Sequence, residues 1–192
     1  MPKQHITREM ILNEAFALAR EAGPEQVLVK NVARRLGCSV QPLYSYFTDM
    51  GALRAALAEH AGAFVRQYVA QRVDPADPFR TTGLAYMRLA REEPHLYRLY
   101  MLRSRAGLCS FDDVVLREGN PAAVEYLVHA EGLTARQARR FYADMLVYNL
   151  GVSVMLATKG CELAEDEVWA HLDNVYTALL ANAKQDGKGK NL

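Results

Sequence analysis

Apolar residues recur at helical intervals along almost the whole chain. Ile11, Leu12, Ala15, Phe16 and Ala19 share one face of a helix that Thr7 is placed to cap and that runs to about Ala22. Gly23 and Pro24 stop it. A short helix from about Lys30 to Leu36 should end at Gly37 as a left-handed cap, and Ser39 is placed to cap the next, from about Val40 to Phe47. Asp49 can cap a long fourth helix from Met50 to about Arg72, about 35 Å in length. "VDPADP", Val73 to Pro78, breaks the pattern and marks a boundary. Beyond it the spacing predicts helices near Phe79–Glu92, Pro94–Arg105, Pro121–Ala130, Ala135–Lys159 and Glu165–Ala183. Ser104–Asn120 is irregular, with "FDDVVLR" as material for one further helical turn. The polar tail "KQDGKGKNL" is expected to be disordered, and no repeat or useful strand pattern breaks the all-α reading.

"CSVQPLYSYF", Cys38 to Phe47, is the least ordinary stretch: uncharged, with three aromatics in four positions and Pro42 near its middle. First-turn backbone N–H groups have no intrahelical partner, so Pro42 starts this helix and does not break it. Short helix, glycine turn and second short helix make a helix-turn-helix, whose second helix meets base edges in the DNA major groove. Gln41 has the chemistry to pair with the N7 and N6 edge of adenine, and Val40 and Pro42 to pack on thymine methyls. Tyr44, Tyr46 and Thr48 carry hydroxyls able to donate to phosphate.

Charge changes the picture slightly. The 192 residues carry a net charge of +1, but residues 1–72 hold nine Lys/Arg against six Asp/Glu, and residues 73–183 hold eleven against fifteen. A basic first third on an acidic remainder hints at a nucleic-acid partner for that third. The composition, 51% hydrophobic and 23% charged, is that of a globular protein. "MPKQHITREM" lacks the apolar core of a leader, and the most apolar run, Met145 to Leu156, is too short to span a bilayer, so a cytoplasmic protein without membrane contact is expected. Cys38, Cys109 and Cys161 are too sparse for a disulfide framework or a zinc site, and the scattered histidines form no metal motif. Nothing resembles a nucleophile–base pair or a paired catalytic carboxylate, so neither a catalytic residue nor a cofactor is expected.

"ILNEAFALAREAG", "VKNVARRLGCSVQPLYSYF" and the capped helix with Leu53 together resemble the N-terminal DNA-binding domain of the TetR family of bacterial transcription regulators, over roughly residues 7–60. The resemblance implies a three-helix DNA-binding head (1–48), a connecting fourth helix (49–72), a C-terminal helical effector-binding and dimerisation domain (73–183) and a tail (184–192). It also implies a homodimer whose two heads hold double-stranded operator DNA until a small molecule releases them. Carried over by position, Ser39, Val40, Gln41 and Pro42 would face bases, while Tyr44, Tyr46, Thr48 and Lys30 would face phosphates. The chain departs from the family pattern twice. Met50 stands where lysine is frequent, and Leu28 where a capping Thr or Ser is frequent. Both lose polar contacts, so a shallower salt dependence of DNA binding is expected.

The long C-terminal helices are apolar on two faces and so need two partners. Met145, Tyr148 and Met155 mark one face of the helix from Ala135; Tyr142, Leu146, Ser153 and Leu156 mark the other, with Asn149 between. The second set, with Trp169, Leu172, Tyr176 and Leu180 of the last helix, is assigned to a twofold four-helix interface; the alternative, that both faces are core within the domain, stays open, as does which face is pocket and which interface. Tyr86, Tyr97, Tyr100, Met101, Tyr126, His129, Tyr148, Asn149 and Met155 are the effector candidates, a set suited to a small, largely apolar or aromatic molecule. The resulting expectation is a regulator, a repressor before an activator. A ligand-binding or enzymatic bundle with a relict head, or a protein-interaction module, stays open as the alternative.

Overall fold

The structure, a computed structural model, describes residues 6–158 and 162–185. Every regular element among them is helical: α1 (Arg8–Ala22), α2 (Val29–Arg35), α3 (Gln41–Tyr46), α4 (Met50–Ala70), α5 (Pro78–Glu92), α6 (Pro94–Met101), α7 (Phe111–Glu118), α8 (Pro121–His129), α9 (Ala135–Ala157) and α10 (Glu165–Gln185), with a 3-10 turn at Pro24–Gln26. Cys161 and most of the polar tail lie outside the described residues. No described helix is long and apolar enough to cross a membrane.

The chain divides into two compact units, one of residues 1–68 with 92–103, the other of 69–91 with 104–192. A single cut at "VDPADP" therefore does not describe it. α6 returns to the first unit because it packs along α1 and because Arg20 of α1 grips Glu93 through Nε at 2.8 Å. Aromatic packing adds to the same unit: Phe16 meets Phe64 at 5.5 Å and His60 edge-on at 4.8 Å.

The head is held by a continuous apolar core in which Ile11, Val32, Leu43, Phe47, Leu53 and Leu57 are buried. Thr7 caps α1, accepting from the Met10 N–H at 3.1 Å, and Asp49 caps α4, accepting from Ala52 at 2.8 Å. Gly37 adopts φ +64°, the left-handed turn between α2 and α3, with the Cys38 N–H returning to the Ala33 carbonyl at 3.0 Å. The cap of α3 is a correction. It falls on Val40 and not on Ser39, and no side chain caps it. The backbone at Val40 is already helical, so Leu43 and Tyr44 bond to its carbonyl while Ser39 stays outside. Cys38 is half-buried and packs against the head core as a small apolar residue.

In the second unit α7, α8 and α10 all pack on α9. Its centre is aromatic: Phe79, Phe141 and Tyr176 lie within 5.9 Å of one another, Phe141 and Tyr176 nearly perpendicular at 88°. The segment left irregular by its sequence contains α7, started by a capping box in which Ser110 accepts from the Asp113 N–H and Asp113 accepts from Ser110, both at 3.1 Å.

Candidate DNA-binding surface and effector cavity

The turn and start of α3 present an uncharged exposed surface. Ser39, Val40 and Gln41 are exposed and Pro42 is half-buried, while Leu43 and Phe47 point into the core and fix the helix beneath them. Lys30, Tyr44 and Thr48 are exposed around this surface. Of the eight residues carried over by position, seven are exposed and Pro42 is half-buried. The Tyr46 hydroxyl is engaged within the head. It donates to the Ile6 carbonyl at 3.1 Å, pinning the chain before α1 to α3, so its proton is not available to a phosphate. Tyr46→Phe should leave DNA affinity near wild type and cost the head about 0.5–1.5 kcal/mol, whereas Tyr44→Phe should weaken DNA binding by an amount of that same order. Paired filter-binding and urea-melting measurements separate the two.

The basic residues of α2 have different uses. Arg35 reaches back to α1, 2.7 Å from Glu14 and 2.6 Å from Glu21, and these hydrogen bonds hold its guanidinium further toward the charged form. Arg34 bonds Asn31 of its own helix. Arg8, absent from the sequence-based set, is exposed at the start of α1 with its guanidinium 5.1 Å from the Phe47 ring, next to the end of α3. Its signal in the sequence was only a lone basic residue in a first turn. Leu28 precedes α2 without a side-chain cap, and Met50 packs partly buried on the head core, so both positions lack the polar contact the family pattern supplies.

The second unit contains a cavity of about 60 Å³, lined by Phe79, Thr82, Gly83 and Tyr86 of α5, by Tyr142, Met145, Leu146 and Asn149 of α9, and by Arg80, Ala123 and Leu172. Its walls are predominantly apolar. Asn149 donates to the Gly83 carbonyl at 2.7 Å, drawing α9 onto α5 where a β-carbon on Gly83 would stand only 2.9 Å from the amide nitrogen. Burial holds the Tyr142 hydroxyl above the usual tyrosine range, offset in part by the Asn120 N–H that donates to it at 3.0 Å.

This cavity redistributes the residues assigned from sequence. Of the effector set, Tyr86 and Asn149 line it. Tyr97, Tyr100 and Met101 belong to the first unit, where Tyr97 is wholly buried and Tyr100 lies against Gly62. Tyr126 is half-buried, His129 is exposed, Tyr148 shares a hydrogen bond of 2.8 Å with His171, and Met155 is 49% exposed. From the interface set, Tyr142, Leu146 and Leu172 line the cavity instead. Ser153, Leu156 and Tyr176 are buried within the unit, leaving Trp169 and Leu180 half-buried. Phe79 of α5 and Tyr176 of α10 close over the Tyr142 side of α9, so that side is core and cavity wall within the unit. Phe79, Thr82 and Gly83 were missed although, with Tyr86, they stand at i, i+3, i+4 and i+7, a helical face legible in "PFRTTGLAY". Among the described residues no group of three His, Cys, Asp or Glu side chains could hold a metal ion.

Residues 11–57 match the family model for bacterial regulatory proteins of the tetR family. No curated protein sequence matches the chain. Among solved structures, the chain is similar to a TetR variant from Acinetobacter baumannii AYE in complex with minocycline, at 19% identity and a TM-score of 0.58 over 94% of this chain and 98% of that one. The tetR-family match covers residues 11–57, and the chain has an all-helical, TetR-like fold.

Proposed function

We propose that the protein is a homodimeric transcription repressor that leaves a near-palindromic operator when a small, largely apolar molecule enters the second unit. The observation that carries this reading is the exposed Ser39–Gln41 surface at the start of α3, anchored from below by buried Leu43 and Phe47 within a tetR-family domain. Gln41 reads a base and Lys30 a phosphate. Gln41→Ala should relax preference at one base position by about 1–3 kcal/mol. Lys30→Ala should weaken all sequences alike and flatten the salt dependence by about 0.9 in log–log slope for each head. Binding of duplexes over a salt series measures both. A Gln41→Ala protein that kept the wild-type preference would sink this account of readout.

Dimerisation across α9 and α10 is supported by Val147 and Met155, 53% and 49% exposed on α9, with Gly151 between them open to close approach. These replace the buried members of the interface set. The effector would act by binding one head arrangement better than another, shifting the population by that differential affinity and no more. α5 lines the cavity and runs directly into segment 92–103, which Arg20 and Glu93 tie to α1. A displacement of α5 therefore has a covalent route to the head.

A further inference from the structure

The exposed cations of the head differ in how far the protein itself satisfies them. Arg20 is held by Glu93, Arg35 by Glu14 and Glu21, and Arg34 bonds Asn31. Arg8 makes no hydrogen bond or ion pair among the described residues; its described partner is the Phe47 ring, 5.1 Å from the guanidinium. A ring face attracts an exposed cation only modestly, so the N–H donors of Arg8 are left for another partner.

Two contacts fix where Arg8 stands. Phe47 ends α3 and is 5% exposed, so its ring is a firm support. Just before Arg8, the buried Ile6 accepts from the Tyr46 hydroxyl at 3.1 Å. The start of α1 is thereby held against the end of α3. The six residues of α3 span about 9 Å, with Ser39–Gln41 at the opposite end. A recognition helix meets base edges with its first residues. In a major groove about 12 Å wide, its end is then carried toward a phosphate wall. Thr48, one residue past Phe47, is exposed at that same end.

The local electrostatics suit an anion. Arg8 is the first residue of α1, where the helix dipole disfavours a cation and favours a negative charge. Glu9 shares that first turn but, one position on, projects from a different face. Met50, partly buried on the head core, brings no charge to the start of α4.

We propose that Arg8 is a phosphate contact of the head, its guanidinium resting on Phe47 and holding the DNA backbone at the end of α3. This rests on reading the head as a DNA-binding domain and adds a contact to it. Arg8 supplies the charge that Met50 lacks, and it anchors the duplex without reading its sequence.

Binding is measured over a salt series for two labelled duplexes, one drawn from the pool that the wild-type protein retains and one of scrambled sequence. The full-length variants are Arg8→Met, Arg8→Lys and Arg66→Met. Arg8→Met keeps an apolar stem on Phe47 and removes the charge. It should flatten the log–log slope by about 0.9 for each head on both duplexes, with the preference between them unchanged. Arg8→Lys should keep the wild-type slope. Arg66 is exposed on α4 about 24 Å along the helix from Met50, and Arg66→Met should leave the slope where it is. Circular dichroism melts of the same samples report the fold of the head, and Arg8→Gln replaces Arg8→Met if the latter lowers the melt. A wild-type slope in the neutral Arg8 variant, a changed preference between the duplexes, or equal flattening by Arg66→Met would each overturn the proposal. If the wild type binds with a steep salt dependence and the Arg8 variants match it, this contact alone falls. If the wild type retains neither duplex, the DNA-binding reading falls and takes the contact with it.

Discussion

Leu43→Ala abolishes DNA retention at temperatures where the second unit is still folded; this is the expected result for a head whose reading surface has no other support. α3 is only six residues long, has no side-chain cap, and is fixed by Leu43, 2% exposed, and Phe47, 5% exposed. Emptying the Leu43 position removes about 2–5 kcal/mol, a large part of the 5–15 kcal/mol that a domain possesses. The single tryptophan, Trp169, sits on α10 in the second unit and reports on that unit alone. Thermal melts followed by circular dichroism should therefore show an early loss of helix while Trp169 fluorescence melts where it does in the wild type. A Trp169 transition that moved with the head would mean that the two units unfold as one.

The complementary result is expected from Phe141→Ala. Phe141 is 1% exposed and meets Phe79 at 5.4 Å and Tyr176 at 5.1 Å, so one side chain joins α5, α9 and α10. Truncation costs about 3–5 kcal/mol through lost transfer energy and an unfilled cavity. The Trp169 transition should fall by on the order of 10–20 °C, with the sequence of the DNA retained at low temperature unchanged. Phe141→Leu, which keeps more of the volume, should lose much less. If Phe141→Ala left the Trp169 melt in place, the aromatic centre would not be what holds this unit.

The head was legible because its signals are local. Thr7, Gly37 and Asp49 each act within four residues of chain, and the helical period of Ile11, Ala15 and Leu18 is that of one buried face. Ser39 misled by one position because a capping residue and a helical backbone at Val40 compete for the same start. Tyr46 misled for another reason: its partner is the carbonyl of Ile6, forty residues away in sequence, which no spacing discloses.

The second unit was less legible because its helices are apolar on more than one face, and pattern alone does not say which face meets which neighbour. Tyr142, Leu146 and Leu172 read equally well as interface or as cavity until α5 is packed against them. Likewise Tyr97 and Tyr100 carry the composition of a ligand pocket, yet α6 is drawn to α1 by Arg20 and Glu93, a pairing across 73 residues. Ser110 and Asp113 did offer a local signal for α7, with Asp in place of the usual Glu or Gln of a capping box.

Two α3 helices held in one dimer should recognise duplex DNA by its sequence. The most direct measurement is selection of bound duplexes from a random-sequence pool by the purified full-length protein, followed by sequencing. The expected result is enrichment of a near-palindrome whose half-sites lie about 34–36 Å apart, one turn of the duplex or a multiple of it, and loss of that enrichment in Leu43→Ala. A pool that emerges unenriched, with retention that is absent or indifferent to salt, would contradict it.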